Sequence, residues 1–402
     1  MYLFLIKKRI ITEYLCYFFL FLCGMGNTNV EIALLSILGM YFFVVKQFYR
    51  FYTNIKLGIG FSFFLIFIIF YARYYISPEP PPGWENMDLD YWNYILKSMQ
   101  LLLVYLIVGI EPKPKNKFKL LASLSLGMLF VAILNSVFTM IYLDPPYYGK
   151  SYHIFHKVIV NSPGTTILGG MASILFLSFL TNKDYKPFAF GIGSILVLSL
   201  GIFISILYSA RTLFFEILII FSLQISFLIM RRFSLKKIEG LRYLFLIFTS
   251  LLVAFFLIDH PLFSRIKDRI VSGDYLVKFQ HTIDYWTQIK TGFWIYPKDH
   301  SGYVWFHNFF FDVHRTSGPK TAIVNYSFFI IILFLLLKNI QKRTYFHKEL
   351  LVLFIAFFPF LYTTIPWESS ENQMISFYAG LVAMVLTDER SSKFNSKKNT
   401  DN

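Results

Sequence analysis

Residues 259–320 read DHPLFSRIKDRIVSGDYLVKFQHTIDYWTQIKTGFWIYPKDHSGYVWFHNFFFDVHRTSGPK and form the only long polar interval in an otherwise apolar sequence. The interval holds eight Lys and Arg, six Asp, five of the eight His and three of the six Trp. A connection of this length between hydrophobic helices is typically functional or disordered. Its aromatic, glycine-punctuated composition argues against disorder. The interval therefore predicts a folded, functional loop between membrane spans.

The rest of the chain is unusually apolar. Of the 402 residues, 56% are hydrophobic, and the mean hydropathy is +0.55. Several runs reach the roughly 20 apolar residues that cross a bilayer, namely 55–76, 120–143, 188–208 and 212–230. These runs predict an all-α polytopic membrane protein. The first predicted span, at about 10–26, follows Lys7, Lys8 and Arg9 and is expected to be a retained helix, not a cleaved signal peptide.

We predict twelve transmembrane helices in one domain, residues 1–388, followed by a disordered cytoplasmic tail, 389–402. An even number of spans places both termini in the cytoplasm, and the long interval becomes one large periplasmic loop. The predicted spans are 10–26, 28–45, 55–76, 93–110, 120–143, 165–181, 188–208, 212–230, 243–258, 321–337, 349–366 and 373–388.

The net charge of +15 is a topology signal. Basic residues cluster in alternate connections, which are the cytoplasmic ones by the positive-inside rule, and the six Trp lie in the other connections. The charge therefore argues against a nucleic-acid partner. Cys16 and Cys23 both fall in the first predicted span, so neither a disulfide nor a zinc pair is expected.

Metal and nucleotide sites are not predicted. His153 and His156 are three residues apart, but no third ligand accompanies them. The sequence has no HExxH motif, P-loop or GxGxxG motif, which disfavours an ATP-driven pump and a cytoplasmic nucleotide-sugar transferase. No cofactor is expected.

Three arginines are candidates for binding a phosphate group. Arg211 lies between two apolar runs, where a charge costs a few kcal/mol unless it faces a bundle interior or an aqueous cavity. It would bind a lipid-linked phosphate, or it would snorkel or pair with Glu216. Arg265 and Arg269 share one face if their segment is helical, and two guanidinium forks suit a diphosphate. The alternative is a solvated amphipathic helix.

His307 and Asn308 are the most specific candidates in the loop. A neutral His beside an apolar run can accept a proton from a sugar hydroxyl, although a loop His is often structural. Asn308 would orient a ligand or cap the following helix. His314 and Arg315 are further candidates. The loop aromatics fit sugar stacking and an interfacial aromatic belt equally well; they are Tyr285, Trp286, Trp294, Tyr296, Tyr303 and Trp305.

These features together resemble the bacterial O-antigen polymerase and O-antigen ligase superfamily. The ligase signature is His, then Asn, Ser or Gln, nine residues, Gly, two residues, and Gly, Thr or Tyr. His307, Asn308, Gly318 and Thr321 satisfy that spacing. The turn 208–211 is similar to the Ser-Arg turn of the family, with one residue inserted. The segment from His281 to Gly292 looks like the family's Arg-then-Trp helix, with His281 near the position of the missing Arg.

The resemblance implies transfer of a glycan from an undecaprenyl-diphosphate carrier on the periplasmic face of the inner membrane. His307 would be catalytic, and Arg211, Arg265 and Arg269 would bind the diphosphate. A chain-length regulator and a flippase are the protein partners that it suggests. The polymerase is favoured, because no motif in the first two thirds of the chain can be tied to core-oligosaccharide binding. The ligase, and a transporter or flippase of lipid-linked oligosaccharide, remain alternatives.

Overall fold

The computed structural model describes residues 2–26, 60–62, 64–69, 91–111, 113–147, 149–155, 157–160, 162–181, 188–210, 212–229, 264, 275–297, 308–340, 345–363 and 371–387. The described part of the chain is mostly helical, as the composition predicted. Its helices are α1 (Tyr2–Met25), α2 (Tyr91–Ile110), α3 (Pro114–Tyr142), α4 (Ser162–Thr181), α5 (Phe188–Leu207), α6 (Thr212–Ile229), α7 (Tyr275–Thr291), α8 (Phe309–Ile340), α9 (Tyr345–Thr363) and α10 (Glu371–Leu386).

Three of the described helical segments are long and apolar enough to cross a membrane, namely Pro114–Tyr142, Ser162–Leu180 and Ser317–Lys338. Shorter apolar helices accompany them, among them Gly191–Leu207 and Thr212–Ser226. The predicted spans 28–45 and 243–258 and the tail 389–402 lie outside the described residues, so the number of spans stays a prediction.

The connection between α3 and α4, which carries His153 and His156, has secondary structure that the sequence did not predict. It contains a small antiparallel sheet of β1 (Ser151–His153) and β2 (Val158–Val160), with Tyr152 opposite Ile159. The Ser151 hydroxyl lies 2.8 Å from Thr165 Oγ1 and 3.2 Å from Tyr208 Oη. Tyr208 in turn donates to Thr139 Oγ1 at 2.9 Å. This buried network joins the end of α3, the start of α4 and the end of α5 at what we call the hairpin end.

The opposite end of the bundle, the basic end, brings together the start of α3, the end of α4, the start of α9 and the end of α10. The Phe118 ring, near the start of α3, lies 6.0 Å from Phe179 near the end of α4 and 5.5 Å from Phe346 at the start of α9. Lys117 Nζ donates to Thr387 Oγ1, just beyond α10. The basic clusters around Lys113, 183–186, 342–348 and 390–398 adjoin these four termini in the sequence. These four helices therefore alternate in direction in step with the basic clusters.

Glycines allow the first pair of packed helices to approach closely. A Cβ at Gly24 of α1 would lie 1.9 Å from Leu124 O, and one at Gly127 of α3 would lie 1.9 Å from Phe21 O. Such backbone contact through small residues is typical of helix packing in membranes. It lets the backbones of α1 and α3 pack directly against each other.

Candidate functional site

The candidate site is built from the described parts of the long polar interval: α7, residues 292–297, Asn308 and the first half of α8. The expected helix through His281 and Trp286 is present as α7, and it ends immediately before Gly292. Phe310, in the first turn of α8, stacks on Phe358 near the end of α9, with ring centroids 5.4 Å apart. The start of α8 therefore lies in the same half of the bundle as the β-hairpin.

Asn308 caps α8, as one of its two predicted roles required. Its Oδ1 accepts a hydrogen bond from the backbone N–H of Phe310 at 3.0 Å, which satisfies one of the free donors at the helix start. Asp312 Oδ2 accepts from the Asn308 backbone N–H at 3.2 Å. The Asn308 Nδ2 group is buried and has no hydrogen-bond partner among the described residues. The side chain thus caps the helix and retains one unused donor.

Gly318 divides α8 into two segments. Its φ of 78° and ψ of 177° are non-helical, and this backbone region is accessible essentially to glycine alone. Pro319 follows, and a Cβ at Gly318 would lie 2.5 Å from Tyr296 Oη. Thr321 Oγ1 donates to Ser317 O at 3.1 Å across the break. Three positions of the signature therefore mark the start of α8, its break and the first turn of its second segment.

A hydrogen-bonded chain of three side chains connects α7 to both segments of α8. His314 Nε2 lies 3.0 Å from Phe293 O, and His314 Nδ1 lies 2.9 Å from Tyr285 Oη. Tyr285 Oη lies 2.8 Å from Tyr326 Oη, which donates to Phe310 O at 2.9 Å. Because carbonyl oxygens only accept, both ends of the chain must be supplied with hydrogens from within it.

Counting hydrogens shows what protonation does to this chain. The four contacts need four hydrogens, whereas two hydroxyls and a neutral imidazole supply three. A protonated His314 would supply the fourth. Burial opposes this by lowering the pKa of His314, and the hydrogen bonds to the backbone of Phe293 and Ile295 offset only part of that effect. Burial also raises the pKa of Tyr285 to about 12, against a smaller opposite effect of its bond to Tyr326, so its hydroxyl stays protonated.

An ion pair stabilises the same turn of α8. Arg315 Nε lies 3.4 Å from Asp312 Oδ1, and the Asp312 side chain is fully buried. Since the other oxygen of Asp312 accepts from the Asn308 backbone, the carboxylate ties Arg315 to the helix cap. In this arrangement Arg315 is engaged within its own helix.

The loop aromatics separate into two groups. Tyr285, which the sequence grouped with candidates for sugar stacking, is buried and stacks on Phe311 with centroids 3.9 Å apart. Trp286, Trp294 and Tyr296 are exposed, at 53%, 69% and 51%. Exposed rings of this kind suit a sugar or a membrane interface. Tyr303 and Trp305 lie outside the described residues.

Of the predicted site residues, the structure places four. Asn308, His314 and Arg315 come together at the start of α8, and His281 is a buried residue of α7. His307, Arg211, Arg265 and Arg269 lie outside the described residues, so their roles stay predictions. The turn that precedes Arg211 is present: Ser209 has a φ of 51°, and Ala210 N donates to Ser205 O at 2.7 Å, which ends α5.

Asp312, Tyr326 and the structural role of Tyr285 were not predicted from the sequence. Asp312 carried an available signal, because an acidic residue in the first turn of a helix is favoured there. Tyr326 carried none, because it lies in an apolar run and its partner Tyr285 is 41 positions away.

Comparison with known proteins bears mainly on this region. The family profile described as "Protein of unknown function (DUF1229)" matches residues 233–327, which is less than half of the chain. The matched segment includes α7, the capped start of α8 and the break at Gly318. No curated protein matches the chain.

Proposed function

We propose that the protein is a membrane glycosyltransferase of the O-antigen polymerase type. It would join undecaprenyl-diphosphate-linked oligosaccharide repeat units on the periplasmic face of the bacterial inner membrane, with twelve spans and no cofactor. The observation that carries this proposal is the conformation of the signature. Asn308, Gly318 and Thr321 each occupy a position with a distinct structural demand, and exposed aromatic rings lie beside them.

In this reaction His307 and the three arginines have separate tasks. His307 takes the proton of the acceptor hydroxyl as the new glycosidic bond forms at the anomeric carbon. The bond from that carbon to the diphosphate oxygen breaks, and the diphosphate leaves with the electron pair. Arg211, Arg265 and Arg269 stabilise this developing charge through preorganised guanidinium groups. Asn308, next to His307, caps α8 and so fixes the start of the helix beside the catalytic residue.

Substitution of His307 tests the proposal. General-base assistance typically contributes about 10²–10⁴ in rate, so His307→Ala should abolish the ladder of long-chain glycans on a gel, at matched protein level. His307→Gln keeps a hydrogen bond but is a far weaker base and should fail too. Substantial activity of His307→Gln would make His307 a positioning residue. Full activity of His307→Ala would remove the catalytic assignment.

The product distinguishes the alternatives. A polymerase produces longer lipid-linked glycans, whereas a ligase produces glycan attached to lipid A-core. A flippase produces neither, and its loss leaves repeat units on the cytoplasmic face. Analysis of lipid-linked and core-linked glycans in cells with and without the protein therefore separates the three activities.

A further inference from the structure

A second set of buried polar groups lies away from the candidate site, inside the helix bundle. Glu216 of α6 has 0% exposure, and both of its carboxylate oxygens lack a hydrogen-bond partner among the described residues. Gln224, eight residues further along α6, is 1% exposed, and neither atom of its amide has a partner there. Buried polar groups are normally hydrogen-bonded, so two such side chains on one helix call for a functional explanation.

The packing of three helices shows where these groups lie. A Cβ at Gly170 of α4 would be 3.2 Å from Phe360 Cζ of α9 and 3.9 Å from Leu213 Cβ of α6. These three residues therefore meet at one depth. We call the line along which α4, α6 and α9 meet the seam. Glu216 lies one turn beyond Leu213, and the hydroxyl of Tyr378 on α10 interacts with it electrostatically.

Helix geometry extends the seam toward the basic end. Gln224 follows Leu213 by eleven residues, and Glu349 precedes Phe360 by eleven residues. Because α6 and α9 run in opposite directions, each step of about three turns leads about 16 Å the same way and returns to the same helix face. Gln224 and Glu349 should therefore lie at similar depth. Ser178 of α4 interacts with the Glu349 carboxyl, which supports this register.

Glu349 is buried beside Lys348, with Lys348 Nζ 3.9 Å from Glu349 Oε1. Among the described residues, the seam thus carries a carboxyl without a hydrogen-bond partner at Glu216, an amide without one at Gln224, and an ion pair near the basic end. A bare carboxylate in a protein interior costs several kcal/mol, and such a group becomes neutral instead. Ionisable residues inside membrane helices typically line ion or proton paths.

We propose that Glu216 is a proton-binding site and that its proton exchanges along the seam with Glu349 at the basic end. The ligand is a proton, because binding one neutralises the carboxylate without further oxygen ligands. Tyr378 is the titratable group that α10 presents to Glu216, and among the described residues of α4, α6 and α9 no basic side chain pairs with it. Arg211, the pairing candidate from the sequence, lies outside the described residues. Glycosyl transfer at the candidate site, which lies at the start of α8, does not require Glu216.

Carbodiimide labelling tests the protonated state. Dicyclohexylcarbodiimide takes up the proton of a buried carboxylic acid, bonds to its oxygen and rearranges to a stable N-acylurea, with no group lost. The purified full-length protein should carry this adduct on Glu216 at neutral pH, as read by peptide mass spectrometry. Glu216→Gln should lose it, and Glu111→Gln, a matched change at a partly exposed acid away from the seam, should keep it. An unlabelled Glu216 in folded protein, or protection of Glu216 by sodium ions, would overturn the proposal.

Proton movement tests the exchange. Vesicles containing the wild-type protein should dissipate an imposed pH gradient faster than empty vesicles, as followed with a trapped pH-sensitive dye. Glu216→Gln and Glu349→Gln should reduce the rate to that of empty vesicles, and Glu111→Gln should not. A rate that survives Glu216→Gln would refute the exchange. His307→Ala should leave labelling and flux unchanged, which separates this inference from the transferase proposal.

Discussion

The burial and the contacts of His314 decide which role this residue of the polar interval can have. It lies in the first segment of α8, fully buried and in contact with Tyr285 of α7, so it does not meet substrate directly in this arrangement. Its Nε2 atom lies 3.0 Å from Phe293 O, and its Nδ1 atom lies 2.9 Å from Tyr285 Oη. Of its possible roles, the structure therefore favours positioning of the helix that begins next to His307.

The pH dependence of stability should report this histidine. Burial lowers the pKa of His314, so below about pH 6.5, the value for an unfolded His, the unfolded chain binds protons more readily than the folded protein. Stability from this residue is present at neutral pH and is lost as pH falls toward its lowered value. His314→Gln should be less stable at neutral pH and show a flatter decline in melting temperature on acidification. An equal slope in both proteins would contradict the assignment.

Substitution of Arg211 can separate the contribution of its charge to transferase activity from that of its side-chain shape. Lys keeps the positive charge but loses the planar fork that binds a diphosphate at two points. We therefore expect Arg211→Lys to lose most transferase activity at unchanged protein level, as measured by the glycan ladder. If Arg211→Lys and Arg211→Ala both leave long-chain glycan unchanged, Arg211 has a structural role only.

Residue types predicted local roles, such as a helix cap, better than they predicted contacts between distant residues. Asn308 was expected at a helix start because a short amide side chain suits a cap, and it caps α8. The chain through Tyr285, His314 and Tyr326 was not predicted, since its members are 29 and 41 positions apart. No local pattern specifies which of several buried hydroxyls meets a given imidazole.

At the scale of elements, long apolar helices followed from the sequence and short elements did not. The predicted spans 188–208 and 212–230 differ by one residue from α5 and α6. The predicted span at 321–337 missed the first part of α8, because residues 312–320 are mostly polar and include the Gly318–Pro319 break, after which the helix resumes. Strands β1 and β2 have three residues each, too few to show an alternating pattern.

Gly318 gives a prediction for the break in α8. A residue with a Cβ is strained at this φ and ψ by about 1–3 kcal/mol, and an Ala Cβ would also meet the Tyr296 hydroxyl. Gly318→Ala should therefore lower the melting temperature in detergent. Gly191→Ala, at a helical position of α5 with nothing within 4 Å, is the matched control and should not.

Removing the obstructing ring separates the two causes. Adding Tyr296→Ala to Gly318→Ala relieves the steric contact but leaves the backbone strain, so we expect only partial recovery of the melting temperature. Full recovery would show that the contact alone accounts for the loss. An unchanged melting temperature of Gly318→Ala itself would show that the break is not maintained as described.

At the scale of the whole molecule, the two ends of the bundle carry different chemistry. The hairpin end combines the β-hairpin, the buried hydroxyl network and the start of α8 with its exposed aromatic rings. The basic end combines the termini of four helices with basic clusters. Cytoplasmic connections of membrane proteins are enriched in Lys and Arg, so we expect the basic end in the cytoplasm and the hairpin end in the periplasm.

Cysteine labelling in cells tests this orientation. Both native cysteines are first replaced, and single cysteines are introduced at exposed positions of each end: Trp294 and Val158 at the hairpin end, Lys115 at the basic end. An impermeant maleimide that crosses only the outer membrane should label Trp294→Cys and Val158→Cys. It should label Lys115→Cys only after the inner membrane is permeabilised. Val158 and Trp294 must behave alike, because their segments lie at one end of the bundle. The reverse pattern would place the polar interval in the cytoplasm. That location is incompatible with the proposed polymerase, which joins polyprenyl-diphosphate-linked glycans on the periplasmic face.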